Sequence, residues 1–276
     1  MTLIRGELVV VRGAGDLATG TIVRLVRAGF RVVALEVPEP TAIRRTVSLG
    51  EAVYQGTMEV EGVRAARADR PEQALALLEQ AGRGGPVPIL VDPRCTSLER
   101  LRPAAVVDAI LAKRNLGTRI GMAPTVVALG PGFEAGVDAH AVVETQRGHD
   151  LGRVLLRGKA APDTGVPGLV GGFGWERVLH APHAGVLETL KAIGDQVRAG
   201  EPVARLVGAE GSTALAPVID GVLRGLLRGG CSVPAGMKLA DVDPRGRREH
   251  CFTISDKARS VAGGVLEALI MLGERA

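Results

Sequence analysis

The hydrophobic pattern opens with four consecutive apolar residues, Leu8-Val9-Val10-Val11, which predict a buried strand of a parallel sheet. A turn containing Gly13 and Gly15 follows. Leu17, Ala18, Ile22, Leu25 and Val26 then recur at helical spacing up to Ala28, where Gly29 stops the run. Arg31-Val32-Val33-Ala34-Leu35 predicts a second strand, ending on Glu36. Val60 to Ala65 reads as a short hairpin or strand, and Pro71 to Ala81 as a helix with Ala74, Leu75, Leu77 and Leu78 on its apolar face. Further apolar runs precede Asp92, Asp108, Gly130 and Glu144, and each ends in polar or glycine residues.

Strand, glycine turn, helix, strand and acid, in that order, match a dinucleotide-binding unit. Gly13 permits the sharp turn, Gly15 lets the backbone approach a pyrophosphate, and Ala18 is the small residue where the helix packs closely on the strand. The helix start presents free N–H groups and a partial positive charge to phosphate. Glu36 lies 23 residues after Gly13, where an acid can bond a ribose 2′-hydroxyl. Asp16 departs from the pattern, since a carboxylate at the helix start caps the amides but repels a phosphate.

In an open α/β sheet ligands gather at the carboxyl ends of strands. Asp92, Arg94, Asp108, Lys113, Arg114, Asn115, Glu144, Arg147 and His149 therefore form a candidate rim, against the plainer reading that several only cap strands and start turns. Arg44 and Arg45 either reach an anion above the sheet edge or form a solvated surface pair. Cys95 beside Arg94 is either a reactive thiol or a small buried hydrophobe, and the second reading is favoured.

The second half carries an internal repeat. Residues 181–207 and 216–242 match each other: Ala181-Pro182 and Ala216-Pro217 open them, and at an offset of 36 Gly185-Val186-Leu187 corresponds to Gly221-Val222-Leu223 while Gly194, Val197 and Gly200 recur as Gly230, Val233 and Gly236. The phrase from Gly194 to Val203 resembles the biotinyl/lipoyl-like barrel. The carrier lysine is missing from the connection Gly208 to Leu215, so such a module would serve structure, docking or assembly. His180 and His183 flank a proline with no third ligand nearby, and no metal site is assigned. Ser255 caps a terminal helix that Gly273 ends.

These readings give an α/β fold class. A Rossmann-like parallel sheet domain (1–150) and a linker (151–175) precede a small all-β barrel-sandwich of biotinyl/lipoyl-like type (176–243) and a C-terminal strand and helix (244–276). Composition narrows the function. With 46% hydrophobic residues the 276-residue chain can bury a sizeable core, and no run approaches the roughly 20 apolar residues of a membrane span. The start, Met1 to Glu7, has no apolar signal region, which suggests a cytoplasmic protein. Three widely spaced cysteines suggest reduced thiols. The net charge is +4, but there is no basic run and only 2% aromatic residues, so nucleic-acid binding is not expected.

Several segments together resemble the YqeB-type family of selenium-dependent molybdenum hydroxylase accessory proteins. They are Arg12 to Gly20, Ala112-Lys113-Arg114-Asn115, Gly130-Pro131-Gly132-Phe133, Glu144 to His149, and Thr253-Ile254-Ser255-Asp256-Lys257-Ala258-Arg259. The resemblance implies a bacterial accessory or maturation protein whose partner is a client molybdenum hydroxylase; a homo-oligomer is an open alternative that the residues do not decide. Its ligand would be a phosphate-bearing small molecule, molybdopterin or a nucleotide. The candidate binding residues are Gly13, Gly15, Asp16, Ala18, Thr19, Glu36, Lys113, Arg114, Asn115, Arg147 and His149; no catalytic residue is assigned. The alternatives are an NAD(P)-dependent oxidoreductase and a non-catalytic scaffold.

Overall fold

A computed structural model describes residues 6–80, 84–209 and 211–273. Most of the opening segment behind the cytoplasmic expectation, and Ala81 at the end of the expected helix, lie outside these residues. So do Glu210 in the connection that lacks a carrier lysine and the chain end after the terminal helix.

The chain divides into two compact units. One is formed by the described residues of Met1–Pro40, Ser48–Asp163 and Ile254–Ala276, the other by those of Thr41–Val47 and Thr164–Thr253. In the first unit the strands are β1 (Leu8–Arg12), β2 (Arg31–Glu36), β3 (Thr57–Val60), β4 (Val63–Ala68), β5 (Val87–Val91), β6 (Ala105–Asp108), β7 (Thr125–Leu129), β8 (Glu134–Ala135), β9 (Ala141–Val143), β10 (Val154–Leu155) and β11 (Gly158–Lys159). The helices of this unit are α1 (Asp16–Arg27), α2 (Ala52–Gln55), α3 (Pro71–Gln80), α4 (Leu98–Leu101) and α5 (Asp256–Gly273).

Nine strands form one sheet in the order β10-β9-β7-β6-β1-β2-β5-β4-β3, and β8 pairs with β11 separately. The six inner pairings are parallel, while both edge strands, β10 and β3, run antiparallel to their neighbours. Val9, Val10 and Val11 have no accessible surface, because β1 is covered on both faces. The β3–β4 hairpin turns on Glu61 and Gly62, both with positive φ (48° and 80°), the geometry whose twist suits a two-residue loop. Ser255 Oγ accepts the Ala258 amide and caps α5, which packs on α1 and on β7, β9 and β10.

The second unit contains β12 (Val178–His180), β13 (Gly185–Thr189), β14 (Gln196–Val197), β15 (Ala204–Gly208), β16 (Gly211–Leu215), β17 (Gly221–Leu226), β18 (Ser232–Val233) and β19 (Lys238–Asp243). They form two antiparallel sheets, β12-β19-β17-β14 and β16-β15-β13-β18, around one core that includes Leu187, Leu206, Leu223, Leu226 and Leu239. The repeat explains the pairing. β19-β17-β14 and β15-β13-β18 are equivalent, each taking two strands from one copy and one from the other.

The expected fold class needs correction. The large sheet is mixed rather than parallel: the hairpin reverses one edge and the short return into β10 reverses the other. The connections from β6 to β7 and from β7 to β9 carry no α-helix, and instead hold a 3-10 turn (Ile120–Met122) and the short strand β8. The second unit forms two separate four-stranded sheets, and a biotinyl/lipoyl-like barrel is not shown. The terminal helix belongs to the first unit, while Thr41–Val47 belongs to the second.

Candidate functional site

The glycine turn after β1 is braced from one side. Gly13 sits at φ 94° and donates its amide to the Leu35 carbonyl at 2.7 Å. The Ala14 amide donates to Glu36 Oε2 at 2.8 Å, and Glu36 Oε1 accepts the Val37 amide at 2.8 Å. The Ala14 carbonyl accepts from the Gly50 amide, Ser48 Oγ and Thr19 Oγ1. Both polar groups of the Ala14 peptide are thus taken by protein, and the segment Ser48–Gly50 lies against the turn. Burial pushes the Glu36 carboxyl above its ordinary range, against the pull of the two amides it accepts.

The other side of the turn is open. Among the described residues beyond its two chain neighbours, no atom lies within 4 Å of where a Cβ on Gly15 would stand, and Gly15 makes no side-chain cap on α1. The start of α1 therefore offers main-chain amides and the positive end of its dipole to an anion.

Near Asp16, the residue after Gly15, stands Lys257 in the first turn of α5, with Arg147 after β9 and Lys113 after β6 acting on its charge. Lys257 is half-buried and makes no hydrogen bond or ion pair within 4 Å to a described residue. Burial depresses its pKa first; Arg147 and Lys113 push in the same direction, and Asp16 and Glu144 oppose them. Arg147 makes a two-pronged pair with Asp256 at 2.7 and 2.9 Å, and Lys113 Nζ reaches Asp163 at 2.7 Å. Glu144 spends its oxygens on the amides of Thr145, Gln146 and Ala161, which fixes the loop carrying Arg147.

Of the candidate residues, Arg147, Asp16 and Lys113 stand close enough to Lys257 for their charges to act on it, and Gly15 precedes Asp16 in the chain. Ala18 and Thr19 are buried in the base of the turn. Asn115 Oδ1 accepts the amides of Gly117 and Thr118, so it shapes the loop. Arg114 and His149 are exposed; Gly132 packs on the Arg114 backbone. From the wider rim, Asp92 caps a turn through Thr96 and Ser97, and Asp108 pairs with Arg12. Cys95 is buried, and burial raises its thiol pKa, which fits the inert reading.

Lys257 was absent from the candidate residues. The signal was nonetheless present: a cation in the first turn of a capped helix opposes the helix dipole and calls for an anion nearby.

A buried ammonium whose pKa is depressed destabilises the fold at every pH below that pKa. The penalty fades as pH rises toward the unfolded lysine value, because there the unfolded chain binds more protons. The Lys257→Met chain is therefore expected to melt higher than the parent at pH 7, and the difference should shrink toward pH 10. Melting curves across that range check it; a lower melting temperature for Lys257→Met at pH 7 contradicts it.

Among the described residues no helix is long and apolar enough to cross a membrane. No group of three or more His, Cys, Asp or Glu side chains is arranged there to hold a metal ion. No family model matches the chain. Solved structures similar to it include an aspartoacylase family protein from Mesorhizobium loti, at 14% identity, 87% and 85% coverage of the two chains and a TM-score of 0.30. Another is a succinylglutamate desuccinylase/aspartoacylase from Rhodobacter sphaeroides, at 15% identity, 86% and 85% coverage and a TM-score of 0.26. These scores are too low to define a shared fold.

A curated relative is the uncharacterized protein YqeB of Escherichia coli (strain K12), 49% identical over 266 residues. The match takes in 96% of this chain and 48% of YqeB, so the chain spans about half the length of that relative. The chain is a homologue of YqeB.

Proposed function

We propose that this chain is an accessory protein in the maturation of a molybdenum hydroxylase, and that it binds a phosphate-bearing ligand, molybdopterin or a nucleotide, at the end of β1. The single observation that carries the ligand reading is the half-buried ammonium of Lys257, without a hydrogen bond or ion pair among the described residues, close to Asp16 at the start of α1. The residues present fit a phosphate group. Amides at the start of α1 would donate to its oxygens, and Lys257, Lys113 and Arg147 would balance its charge. Asp16 would set the orientation by repelling the anion from one side.

The molybdenum context rests on the sequence resemblance, and the selenium dependence and the docking of a client hydroxylase stand on that footing too. The NAD(P)-dependent alternative is less well supported, because Glu36 already accepts two main-chain amides where a ribose hydroxyl would compete.

Calorimetric titration of the full chain with molybdopterin, mononucleotides and NADH tests the reading. We expect molybdopterin or a nucleotide to bind, and at a hundredfold excess over Kd to stabilise the fold by about 2.7 kcal/mol. Tight NADH binding lost in Glu36→Ala would instead favour the oxidoreductase. If no ligand in the panel binds or shifts the melting temperature, the ligand-binding account fails and the scaffold reading stands.

A further inference from the structure

The second unit holds a histidine and a hydroxyl that the ligand site above does not use. Thr213 lies on β16, the edge strand of the sheet β16-β15-β13-β18. It stands opposite Leu206 of β15, and cross-strand partners share a face. Leu206 belongs to the core, and so does Leu215, two residues further along β16, so Thr213 lies on the inner face of the strand. Thr213 is nonetheless exposed, at the margin of that core.

His183, in the turn between β12 and β13, reaches it. Thr213 Oγ1 and His183 Nε2 are 2.9 Å apart, and His183 Nδ1 is 2.9 Å from the Ala184 carbonyl oxygen. A carbonyl oxygen only accepts, so Nδ1 carries the hydrogen of the neutral ring. Nε2 then presents its lone pair, and the Thr213 hydroxyl donates to it. The main chain makes room for the ring at Gly208 of β15. A Cβ there would stand 2.9 Å from His183 Nδ1 and 3.0 Å from the Ala184 oxygen.

A hydroxyl, a base and a group that orients the base are thus joined by consecutive hydrogen bonds, the arrangement that activates a nucleophile. The pair opens on a cleft of about 430 Å³ lined by His183, Ala184, Ala209, Gly211, Ser212 and Thr213. That volume holds a small organic group. None of the described lining residues is a lysine or arginine, so the cleft suits an uncharged acyl group better than a phosphoryl group.

We infer that Thr213 is an acyl acceptor with His183 as its general base, and that the cleft takes a small uncharged acyl group from an activated ester or thioester. Thr213 Oγ1 bonds to the acyl carbon while its proton passes to His183 Nε2. The bond from that carbon to the donor's oxygen or sulfur breaks, and the leaving alcohol or thiol takes the proton from Nε2. The products are a Thr213 ester, the free alcohol or thiol and a neutral His183.

The test incubates the full chain with p-nitrophenyl acetate. Release of p-nitrophenolate is followed, and peptide mapping of acid-quenched samples by mass spectrometry locates the acetyl group. Acetyl is expected on Thr213 ahead of the other hydroxyls of the chain. Thr213→Ser should keep the reaction, and Thr213→Val should remove it. His183→Gln can still hydrogen-bond but is no base, and should slow the reaction about a hundredfold. Gly208→Ala keeps both reacting groups and displaces the ring, and should slow it about tenfold or more. Melting curves confirm that each variant is folded. A parent chain with neither a Thr213 ester nor any release that Thr213→Val removes overturns the proposal. So does a folded His183→Gln chain that reacts at the parent rate, which would leave the pair as a surface hydrogen bond only.

Discussion

Replacing Asp108 by leucine is expected to cost about 3–5 kcal/mol of stability, the usual loss when one partner of a buried ion pair is removed. Asp108 ends β6 and is 1% exposed, and its Oδ2 accepts Arg12 Nη1 at 3.0 Å from the end of β1. Thr118 Oγ1 also donates to Asp108, and Arg12 donates to Thr118 and to the Leu116 carbonyl. Without the carboxylate, a guanidinium stays buried with only neutral partners. The double variant Arg12→Met with Asp108→Leu should recover more than half of the loss, because an apolar pair of similar volume removes the stranded charge. Urea unfolding of the parent, the single variants and the double variant measures this; a single-variant loss below about 1 kcal/mol would contradict the pairing. The effect reaches the site, since Thr118 and Asn115 close the loop that carries Lys113.

Gly264→Ala should cost about 3 kcal/mol, at the upper end of ordinary overpacking. A Cβ at this position of α5 would overlap the Gly152 carbonyl oxygen and stand 2.8 Å from Val143 Cγ1. A backbone carbonyl cannot swing away as a flexible side chain can, so α5 or the turn at Gly152 must shift. The neighbouring glycine is the control. Nothing lies within 4 Å of a Cβ on Gly263, so Gly263→Ala should stabilise α5 by about 0.5–1 kcal/mol through helix propensity alone. Opposite signs for adjacent glycines in one helix would locate the packing contact; two gains of similar size would show that α5 does not press on Gly152.

Much of the first unit was legible because its signals are local. Continuous apolar runs mark β1 and β7, the Glu61–Gly62 step marks the hairpin, and Ser255 marks the start of α5. What escaped depends on contacts between distant parts of the chain. Glu36 stands where a ribose-binding acid would, yet only the folded chain shows it bonding Ala14, 22 residues earlier. Arg44 and Arg45 read as either an anion-reaching or a solvated surface pair, but they donate to the carbonyls of Leu226, His250 and Thr253 about 180 to 210 residues on. The mixed character of the large sheet depends on the directions of its two edge strands, and those follow from a tight turn on one side and a short return on the other. Lys257 lies far along the chain from Asp16, and no spacing rule joins them; only the packing of α5 on α1 does.

The central claim is that an anionic ligand sits against the open face of Gly15. Gly15 has φ −66° and ψ −174°, extended geometry that valine adopts without strain, and no described residue beyond its chain neighbours stands within 4 Å of the new Cβ. Titration of the best ligand from the calorimetric panel into parent and Gly15→Val chains is the direct measurement. The account predicts a slightly lower melting temperature in the absence of ligand, since valine is a poorer helix cap than glycine, and an affinity weaker by about a hundredfold in the variant, through blocked approach to the α1 amides. An unchanged affinity in a folded Gly15→Val chain would contradict it.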